Sequence, residues 1–318
     1  MPTQETFMLK NIPIFGDLVL APMDGVTDLP FRLWTKSLGA AYTVSEFVNP
    51  RDILTYHPDN KRRLEFREIE RPFGYQLYDD DPERIVRAAI YLQRYSPDFI
   101  DINLGCSART VTHRGAGAAL LKEPLKIAKI IRETTAAIPC PLTAKIRLGW
   151  DDTSRNYLEV SKIIEEEGAS LITVHGRTKV QSYSGSADWN AIAEIKASRS
   201  IPIVGNGDVL RVIDIDKMKS HTRCDAVMIG RGALANPFIF MRKDIESFTI
   251  QALVDSLMHY VKEMIEYYDE IHGIQKSRKI IKRILLNYGI ELETIKHFME
   301  LENFSELEER LKSLLILA

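Results

Sequence analysis

A thiol, an amide and several cations follow one apolar segment of the chain. Residues 101–122 (DINLGCSARTVTHRGAGAALLK) begin as a strand, break at a glycine and then present Cys106. Asn103 lies at the end of the same strand, and Arg109 and Arg114 follow in the loop. A thiol at a strand end can act as a nucleophile or as a proton donor. Taken alone, Cys106 is better explained as a core cysteine in a tight turn.

Similar residues recur after the other apolar segments. These residues are Met23, Asp24, Gln76, Lys145, Arg147, His175, Asn206, Asp208 and Arg231. Each alone has a plain structural explanation, such as a buried histidine or a lysine at a strand end. Because they recur at nearly every strand end, we expect them to converge on one rim of a barrel, where barrel enzymes have their active sites.

Two short glycine loops predict a phosphate site. They cover residues 205–208 (GNGD) and 230–232 (GRG), and their backbone N–H groups can approach a phosphate closely. Arg231 can add a charge-assisted contact. Plain tight turns are the alternative. A phosphate site with Gln76 and Lys145 at the same rim suits FMN, because a lysine can stabilise negative charge on the reduced ring and an amide can bond its carbonyl edge.

Strand and helix signals alternate from residue 18 to residue 229. The predicted strands cover residues 18–24, 42–48, 73–78, 99–103, 142–148, 171–174, 201–204 and 226–229. Helices are predicted at residues 29–38, 81–92, 124–134, 155–167 and 189–197. Near-continuous apolar strands indicate a parallel sheet covered on both faces, and eight such units predict a (β/α)8 TIM barrel.

After about residue 245 only helical periodicity remains. We therefore predict a TIM-barrel domain at residues 1–245 and a small all-helical domain at residues 246–318. One helix of this tail carries a basic face, which consists of Lys276, Arg278, Lys279, Lys282 and Arg283. On its own this face is better explained as a solvated helix surface.

The bulk composition excludes several classes of protein. The chain has 318 residues, is 45% hydrophobic and 27% charged, and has a net charge of −2, so any contact with nucleic acid would be local. No apolar run approaches the ~20 residues of a membrane span. Three scattered cysteines argue against a disulfide framework and a zinc site. No secretory signal is evident, and we expect a cytoplasmic protein without a metal or an obligate protein partner.

Several motifs occur together in a distinctive order. They are APMDGVTDLPFR, Gln76 on its strand, DINLGC, GAGAALLK, KIRLGW, VHGRT, NGD and MIGRGAL. Together they resemble the tRNA-dihydrouridine synthases over about residues 10–245, and more loosely over residues 278–288. The resemblance implies an FMN-dependent reductase of uridines in tRNA, with NADPH or NADH as reductant. It also implies a barrel followed by a helical RNA-binding domain.

The resemblance assigns roles to individual residues. Those expected to bind FMN are Pro22, Met23, Asp24, Gln76, Lys145, His175, Asn206, Gly207, Asp208, Gly230 and Arg231. Those expected to contact tRNA are Asn103, Arg109, Arg114, Arg177, Lys279, Lys282 and Arg283. Cys106 matches the proton donor of the family. Ser107 replaces the proline that usually follows this cysteine, which raises the question of how the loop is stiffened.

The chemistry of uracil reduction agrees with a thiol. Saturating the C5=C6 bond needs a hydride at one carbon and a proton at the other, and a thiol of ordinary pKa, about 8.5, is mostly protonated near neutrality. Two alternatives stay open. One is an FMN barrel reductase of a small molecule, of the dihydroorotate dehydrogenase type, which needs no basic tail. The other is a non-catalytic RNA-binding protein. The sequence does not predict which uridines are modified.

Overall fold

A parallel eight-stranded sheet forms the centre of the protein. The computed structural model describes residues 5–57 and 60–317. An antiparallel hairpin of β1 (Glu5–Leu9) and β2 (Ile12–Phe15) comes first. The sheet strands are β3 (Leu18–Leu20), β4 (Thr43–Val44), β5 (Phe73–Leu77), β6 (Phe99–Leu104), β7 (Leu142–Arg147), β8 (Leu171–His175), β9 (Ile203–Asn206) and β10 (Ala226–Ile229).

The sheet closes into a barrel. Its strand order is β3-β10-β9-β8-β7-β6-β5-β4, and all paired neighbours are parallel. The backbone N–H of Ala41, just before β4, donates to the carbonyl of Leu18 in β3 over 2.8 Å, which joins the two ends of this order. Every residue of β5 and β6 is buried, as expected for strands covered on both faces. The predicted TIM barrel is confirmed.

Ten α-helices accompany the sheet strands in the part of the chain that the structure describes. They are α1 (Leu29–Ser37), α2 (Pro50–Leu54), α3 (Asn60–Arg63), α4 (Pro82–Leu92), α5 (Arg109–Thr112), α6 (Pro124–Ala137), α7 (Tyr157–Glu166), α8 (Trp189–Ser198), α9 (Val212–Thr222) and α10 (Arg231–Ala235). Short 3-10 helices lie at Glu68–Glu70, Gln93–Tyr95, Gly117–Lys122, Pro237–Met241, Ile245–Ser247 and His297–Met299. Capping explains two of the starts, since the carboxylates of Asp28 and Asp81 accept hydrogen bonds from the first-turn amides of α1 and α4.

The predicted helices are confirmed to within a few residues, but α2, α3, α5, α9, α10 and the β1–β2 hairpin are not predicted by the sequence patterns. The strand predicted at residues 42–48 is observed as the shorter β4 (Thr43–Val44). Backbone pairing with β5 continues at Ser45, whose N–H donates to the Gly74 carbonyl at 2.9 Å. The backbone N–H of Gln76 then donates to the Ser45 hydroxyl at 3.1 Å instead of to a backbone carbonyl. The side chain of Ser45 thus ends regular pairing.

The C-terminal part is helical, as predicted. Its helices are α11 (Ile250–Tyr267), α12 (Glu270–Tyr288), α13 (Leu292–Lys296) and α14 (Phe304–Leu317). They share a core with the outside of the barrel, where the rings of Trp34 and Tyr260 stack with centroids 4.7 Å apart. Because the core is continuous, a domain boundary at residue 245 stays a prediction. Among the residues that the structure describes, no helix is long and apolar enough to cross a membrane.

The carboxylate of Asp28 also links the barrel to this helical part. Asp28, the N-cap of α1, accepts a 2.9 Å hydrogen bond from the Tyr268 hydroxyl. The pKa of Asp28 is raised to about 6, chiefly by burial and also by the nearby carboxylate of Glu46, while the hydrogen bond from the Tyr268 hydroxyl opposes this shift. The folded carboxyl therefore holds its proton more tightly than the unfolded one.

Asp28→Asn should change how stability depends on pH. Asparagine keeps the cap and a carbonyl for Tyr268. Between pH 4 and 6 the wild type binds more protons folded than unfolded, so its free energy of unfolding falls as pH rises, whereas the variant lacks this loss. We expect urea unfolding to favour the variant increasingly over this range, by on the order of 1 kcal/mol for this partly exposed side chain. A difference that is constant with pH would contradict the assignment, and the exposed Asp255→Asn is the control.

Candidate active site

A cavity of about 720 Å³ opens among the loops that follow the barrel strands. The residues expected to bind FMN all line it, together with the expected proton donor. They are Pro22, Met23, Asp24, Gln76, Cys106, Lys145, His175, Asn206, Gly207, Asp208, Gly230 and Arg231. Asn103 from the end of β6 and Lys279 and Arg283 from α12 line the same cavity. The structure therefore brings these side chains together, and their roles stay predictions.

The loop that carries Cys106 is held by backbone hydrogen bonds. The side-chain oxygen of Asn103 accepts from Cys106 N at 2.8 Å and from Gly105 N at 3.1 Å. The Cys106 carbonyl accepts from Ala118 N at 3.0 Å. These bonds fix the position of the thiol without a proline after it, so Ser107 does not leave the loop unsupported.

Arg147 ties this loop to the one that follows β8. Its Nε donates to the Gly105 carbonyl at 2.7 Å, and its Nη1 donates to the carbonyls of Thr178 and Ser182 at 3.0 Å each. The guanidinium is buried and satisfied by carbonyls of two loops. The sequence places Arg147 near a strand end but does not indicate this positioning role.

The thiol is kept in its protonated form. Burial raises the pKa of Cys106, and this effect exceeds the lowering by the Ala108 amide and by the positive charges of Arg147 and Lys145. A cysteine with a raised pKa is a poor nucleophile at neutral pH but holds a proton that it can donate. The electrostatics therefore favour an acid over a nucleophile.

Lys145 points into the cavity beside Asn206. The ammonium lies 3.2 Å from Asn206 Oδ1, and Asn206 Nδ2 donates to the Met228 carbonyl at 2.8 Å, which fixes the amide with its oxygen toward the lysine. The pKa of Lys145 is lowered to about 8, chiefly by burial and also by the charge of Arg147. Lys145 thus remains mainly charged near neutrality and has only an amide as its hydrogen-bond partner within the described residues.

The cavity has an excess of positive charge. Burial lowers the pKa of His175 far below its usual value, and the neighbouring cations Lys145, Arg147 and Arg177 lower it further, so the imidazole is neutral. A site whose cations suppress the charge of a histidine is suited to an anionic ligand. A phosphorylated cofactor fits this field.

The amide of Gln76 is oriented by a buried network. Its Nε2 donates to Asp101 at 2.7 Å, and its Oε1 accepts from Asn103 Nδ2 at 2.8 Å. Asp101 also accepts from the Thr143 hydroxyl at 2.5 Å, and burial raises the pKa of Asp101. One N–H of Gln76 is left without a partner in this network and can serve a ligand in the cavity.

The two predicted phosphate loops are closely packed against other chain segments. Gly207 has φ +121°, and a Cβ there would lie 2.7 Å from that of Ala187. A Cβ on Gly232 would lie 2.4 Å from the Val209 carbonyl. Only glycine fits either position, so the side-chain-poor loops predicted from the sequence are required by packing as well as by any ligand.

Arg177, which is expected to contact tRNA, is buried in this structure. Its side chain is 1% exposed and donates to Asp208 at 2.7 Å and to the carbonyls of Ser184 and Gly185. The side chain turns inward because two of these acceptors are carbonyls of its own loop after β8 and the third is a carboxylate of the loop after β9. The other carboxylate oxygen of Asp208 pairs with Arg231 at 3.2 Å, so Asp208 positions Arg231 at the cavity.

The remaining basic residues divide into two groups. Lys279 and Arg283 line the cavity, whereas Lys282, Arg109 and Arg114 are exposed outside its lining. Arg278, on the basic face predicted for the same helix, instead donates to the Leu301 carbonyl at 2.6 Å and supports the helical part.

One aromatic residue at the cavity is not indicated by the sequence. The ring of Tyr183 is 58% exposed, and the guanidinium of Arg231 lies 4.8 Å from its centroid. Tyr183 lines the cavity from the loop after β8, where a lone tyrosine among serines carries no recognisable signal. In the described part of the chain, no group of three or more histidine, cysteine or acidic residues is arranged to hold a metal ion.

Asn103→Ala should loosen the loop of Cys106. The change leaves two backbone N–H groups without an acceptor, which we expect to lower the free energy of unfolding by about 1–3 kcal/mol. Cys106 should also be alkylated faster, as measured by mass spectrometry of labelled peptides. The exposed Asn190→Ala is the matched control. Unchanged stability and alkylation in the Asn103 variant would show that the loop is held by other contacts.

The sequence matches a known family over almost its whole length. The family described as Dihydrouridine synthase (Dus) matches residues 19–316, which include both the barrel and the helical part.

Individual relatives cover most of the chain. It is 35% identical over 308 residues to the "Probable tRNA-dihydrouridine synthase" of Aquifex aeolicus (strain VF5), with 93% of this chain and 95% of that protein aligned. It is also 35% identical over 283 residues to "tRNA-dihydrouridine synthase B" of Pasteurella multocida (strain Pm70), with 87% of this chain and 83% of that protein aligned.

Solved structures share the fold at low sequence identity. Histamine dehydrogenase from Rhizobium sp. 4-9 superposes with a TM-score of 0.55 at 13% identity, over 81% of this chain and 50% of that one. A 2-naphthoyl-CoA reductase complex superposes with a TM-score of 0.57 at 11% identity, over 73% of this chain and 50% of that one. These similarities concern the fold alone, whereas the sequence match over residues 19–316 shows that the chain belongs to the dihydrouridine synthase family.

Proposed function

We propose that this protein is a tRNA-dihydrouridine synthase that uses FMN and NADPH to reduce the C5=C6 bond of uridines in tRNA. The observation that carries the proposal is a protonated thiol in a cation-rich cavity. Cys106 lies in the same cavity as Lys145 and Arg231, and its raised pKa keeps the proton on sulfur. The names of the relatives support tRNA as the substrate.

The cavity residues fit FMN. The side-chain-poor loops at Gly207 and Gly230, with Arg231, would hold the phosphate, and Lys145 and Gln76 would face the ring. The volume of about 720 Å³ is in the usual range for cofactor sites. FMN held by these residues and reduced by NADPH would provide the hydride needed at C6 of the uracil ring.

Cys106 supplies the other hydrogen. Hydride addition at C6 leaves a carbanion at C5 conjugated with the C4 carbonyl, and the Cys106 S–H bond breaks as its proton forms the new C5–H bond. The remaining thiolate takes a proton from solvent, which its raised pKa favours. One hydride and one proton saturate the double bond, so the electrons and atoms balance.

The rest of the site would bind and place the nucleotide. Bases of a folded tRNA are stacked or paired, so the target uridine must be flipped into the cavity. Lys279 and Arg283 lie at the cavity and would contact the RNA backbone beside it, with Asn103 near the base. Lys282, Arg109 and Arg114 are exposed and available to phosphates farther away. The resulting affinity should fall as salt concentration rises.

The family match supports a tRNA substrate over a small molecule. It extends through the helical part to residue 316, which a reductase of a small molecule would not need. We propose a cytoplasmic enzyme, since tRNA is modified there.

A strain that lacks the protein tests the function. Dihydrouridines mapped in its tRNA should be missing at defined positions and return when the gene is restored. Purified protein should be yellow. If the tRNA is unchanged and the protein reduces free uridine or orotate, it is a reductase of small molecules. If the purified protein binds tRNA but stays colourless after incubation with FMN, it is a non-catalytic RNA-binding protein.

A further inference from the structure

Three loops on one side of the barrel rim place two lysines against a single indole ring. Lys122 Nζ lies 3.4 Å from the ring centroid of Trp150, and Lys179 Nζ lies 4.3 Å from it. Lys122 ends the 3-10 helix after β6, whereas Trp150 and Lys179 follow β7 and β8. We call these three residues the Trp150 cluster. The mechanism above uses none of them.

The two ammonium groups are not neutralised. Neither forms an ion pair with a carboxylate among the residues that the structure describes. Glu123, the neighbour of Lys122, is paired with Lys126 at 2.7 Å. Asp151, the neighbour of Trp150, accepts from Thr153 and Ser154 within its own turn and is directed to them. An indole attracts cations but does not cancel their charge, so the cluster can still bind an anion.

Backbone hydrogen bonds hold the loops of the cluster together. Lys179 N donates to the Gly149 carbonyl at 3.0 Å, and Val180 N donates to the Trp150 carbonyl at 2.9 Å. Asn156 Nδ2 donates to the Leu121 carbonyl at 2.7 Å, next to Lys122. The backbone positions of both lysines are thus fixed before a ligand arrives, which lowers the entropy lost on binding.

The cluster lies across the cavity from the helical part. In the closed ring of eight strands, β7 stands four positions from β3. The helical part packs on the other side, where Tyr260 of α11 stacks on Trp34 of α1 and Asn287 of α12 bonds the Ala235 carbonyl of α10 at 3.2 Å. Lys279 and Arg283 line the cavity, whereas the Trp150 cluster lies outside its lining, so only an anion long enough to extend across the rim would reach both.

We propose that the Trp150 cluster binds a backbone phosphate of the tRNA and acts as a second anchor opposite α12. The inference rests on the proposed function, since it takes tRNA as the ligand. Two lysines with fixed backbone positions suit a phosphate, because a lysine ammonium binds phosphate as a compact positive charge. Contacts with the RNA on both sides of the cavity would hold the target nucleotide at the cavity opening.

The test removes both charges and leaves the fold intact. Lys122→Gln with Lys179→Gln is compared with Lys129→Gln and Lys162→Gln, which remove two exposed charges from the outer helices α6 and α7. The dissociation constant of the FMN-loaded enzyme for tRNA is measured by fluorescence anisotropy over a salt series. The cluster variant should bind about tenfold more weakly at low salt, with a salt slope smaller by about 1 to 2, and the control should match the wild type.

The rate of flavin reduction measured without tRNA shows whether the cluster binds a phosphate of tRNA or the additional phosphate of NADPH. The rate with NADPH should be unchanged in the cluster variant. If that rate falls with NADPH but not with NADH, the cluster binds the additional phosphate of NADPH, and the proposal is overturned. Equal tRNA affinity and slope in the cluster variant and the wild type would also overturn it, even with an active enzyme. If the wild type forms no dihydrouridine but the variant still binds tRNA more weakly, the proposed function fails and the anchor stands.

Discussion

Cys106→Ala should lower the rate of uridine reduction at least about 100-fold, because general acid catalysis contributes about 10²–10⁴-fold. The thiol has no role in holding the loop, whose hydrogen bonds come from the backbone and Asn103. The variant should therefore bind FMN and tRNA as the wild type does. Single-turnover formation of dihydrouridine, measured by mass spectrometry of digested tRNA, gives the rate.

The matched control is Cys140→Ala. This partly buried cysteine accepts a hydrogen bond from Gln93 and lies outside the cavity lining, so its variant should be fully active. Because the thiol must be protonated, and burial raises its pKa, the wild-type rate should stay level through neutral pH and fall only at alkaline pH. A Cys106→Ala enzyme that works at full rate would show that another group donates the proton.

Lys145→Met should lower the rate of uridine reduction and raise the stability of the cofactor-free protein. Removing a preorganised positive charge from a reaction site typically lowers the rate about 10²–10³-fold, and we expect about 100-fold here with weaker FMN binding. The cofactor-free variant should be more stable by about 1 kcal/mol at pH 7, because a charge with little compensation is replaced by an apolar side chain of similar length. Stopped-flow flavin reduction and urea unfolding measure the two effects.

The pH dependence of this gain has a defined sign. Burial lowers the pKa of folded Lys145 to about 8 from an ordinary value of 10.5, so between these pH values the unfolded wild type binds more protons than the folded one. Wild-type stability therefore rises there relative to the variant, and the gain of Lys145→Met should shrink. The exposed Lys217→Met should show neither effect. A Lys145→Met protein that reduces uridine at the wild-type rate would show that Lys145 has no role in the mechanism.

Most of the candidate site is predictable from the sequence because of barrel geometry. Parallel strands end on the same rim, so residues as far apart as Met23, Cys106 and Arg231 can be expected to meet once eight strands are recognised. The apolar faces of α11 and α12 are predictable for a similar reason, since helical periodicity shows which side is buried.

What the sequence leaves open depends on contacts between loops. The pattern around Arg177 predicts a polar strand-end residue, but its acceptors at Ser184, Gly185 and Asp208 become neighbours only in the folded chain. The same holds for Arg147, which bonds carbonyls from two loops. Local patterns do not encode such long-range partners, so positioning residues are the ones missed.

The most direct test of the central claim is a single turnover without oxygen. Enzyme loaded with FMN and reduced beforehand by NADPH is mixed with tRNA transcript that lacks modifications, and the mass of the digested nucleosides is determined. The account predicts that a uridine in the tRNA gains two hydrogen atoms as the flavin is oxidised, and that free uridine under the same conditions does not. Reduction of free uridine with no change in the tRNA, or no reduction of either, would contradict it.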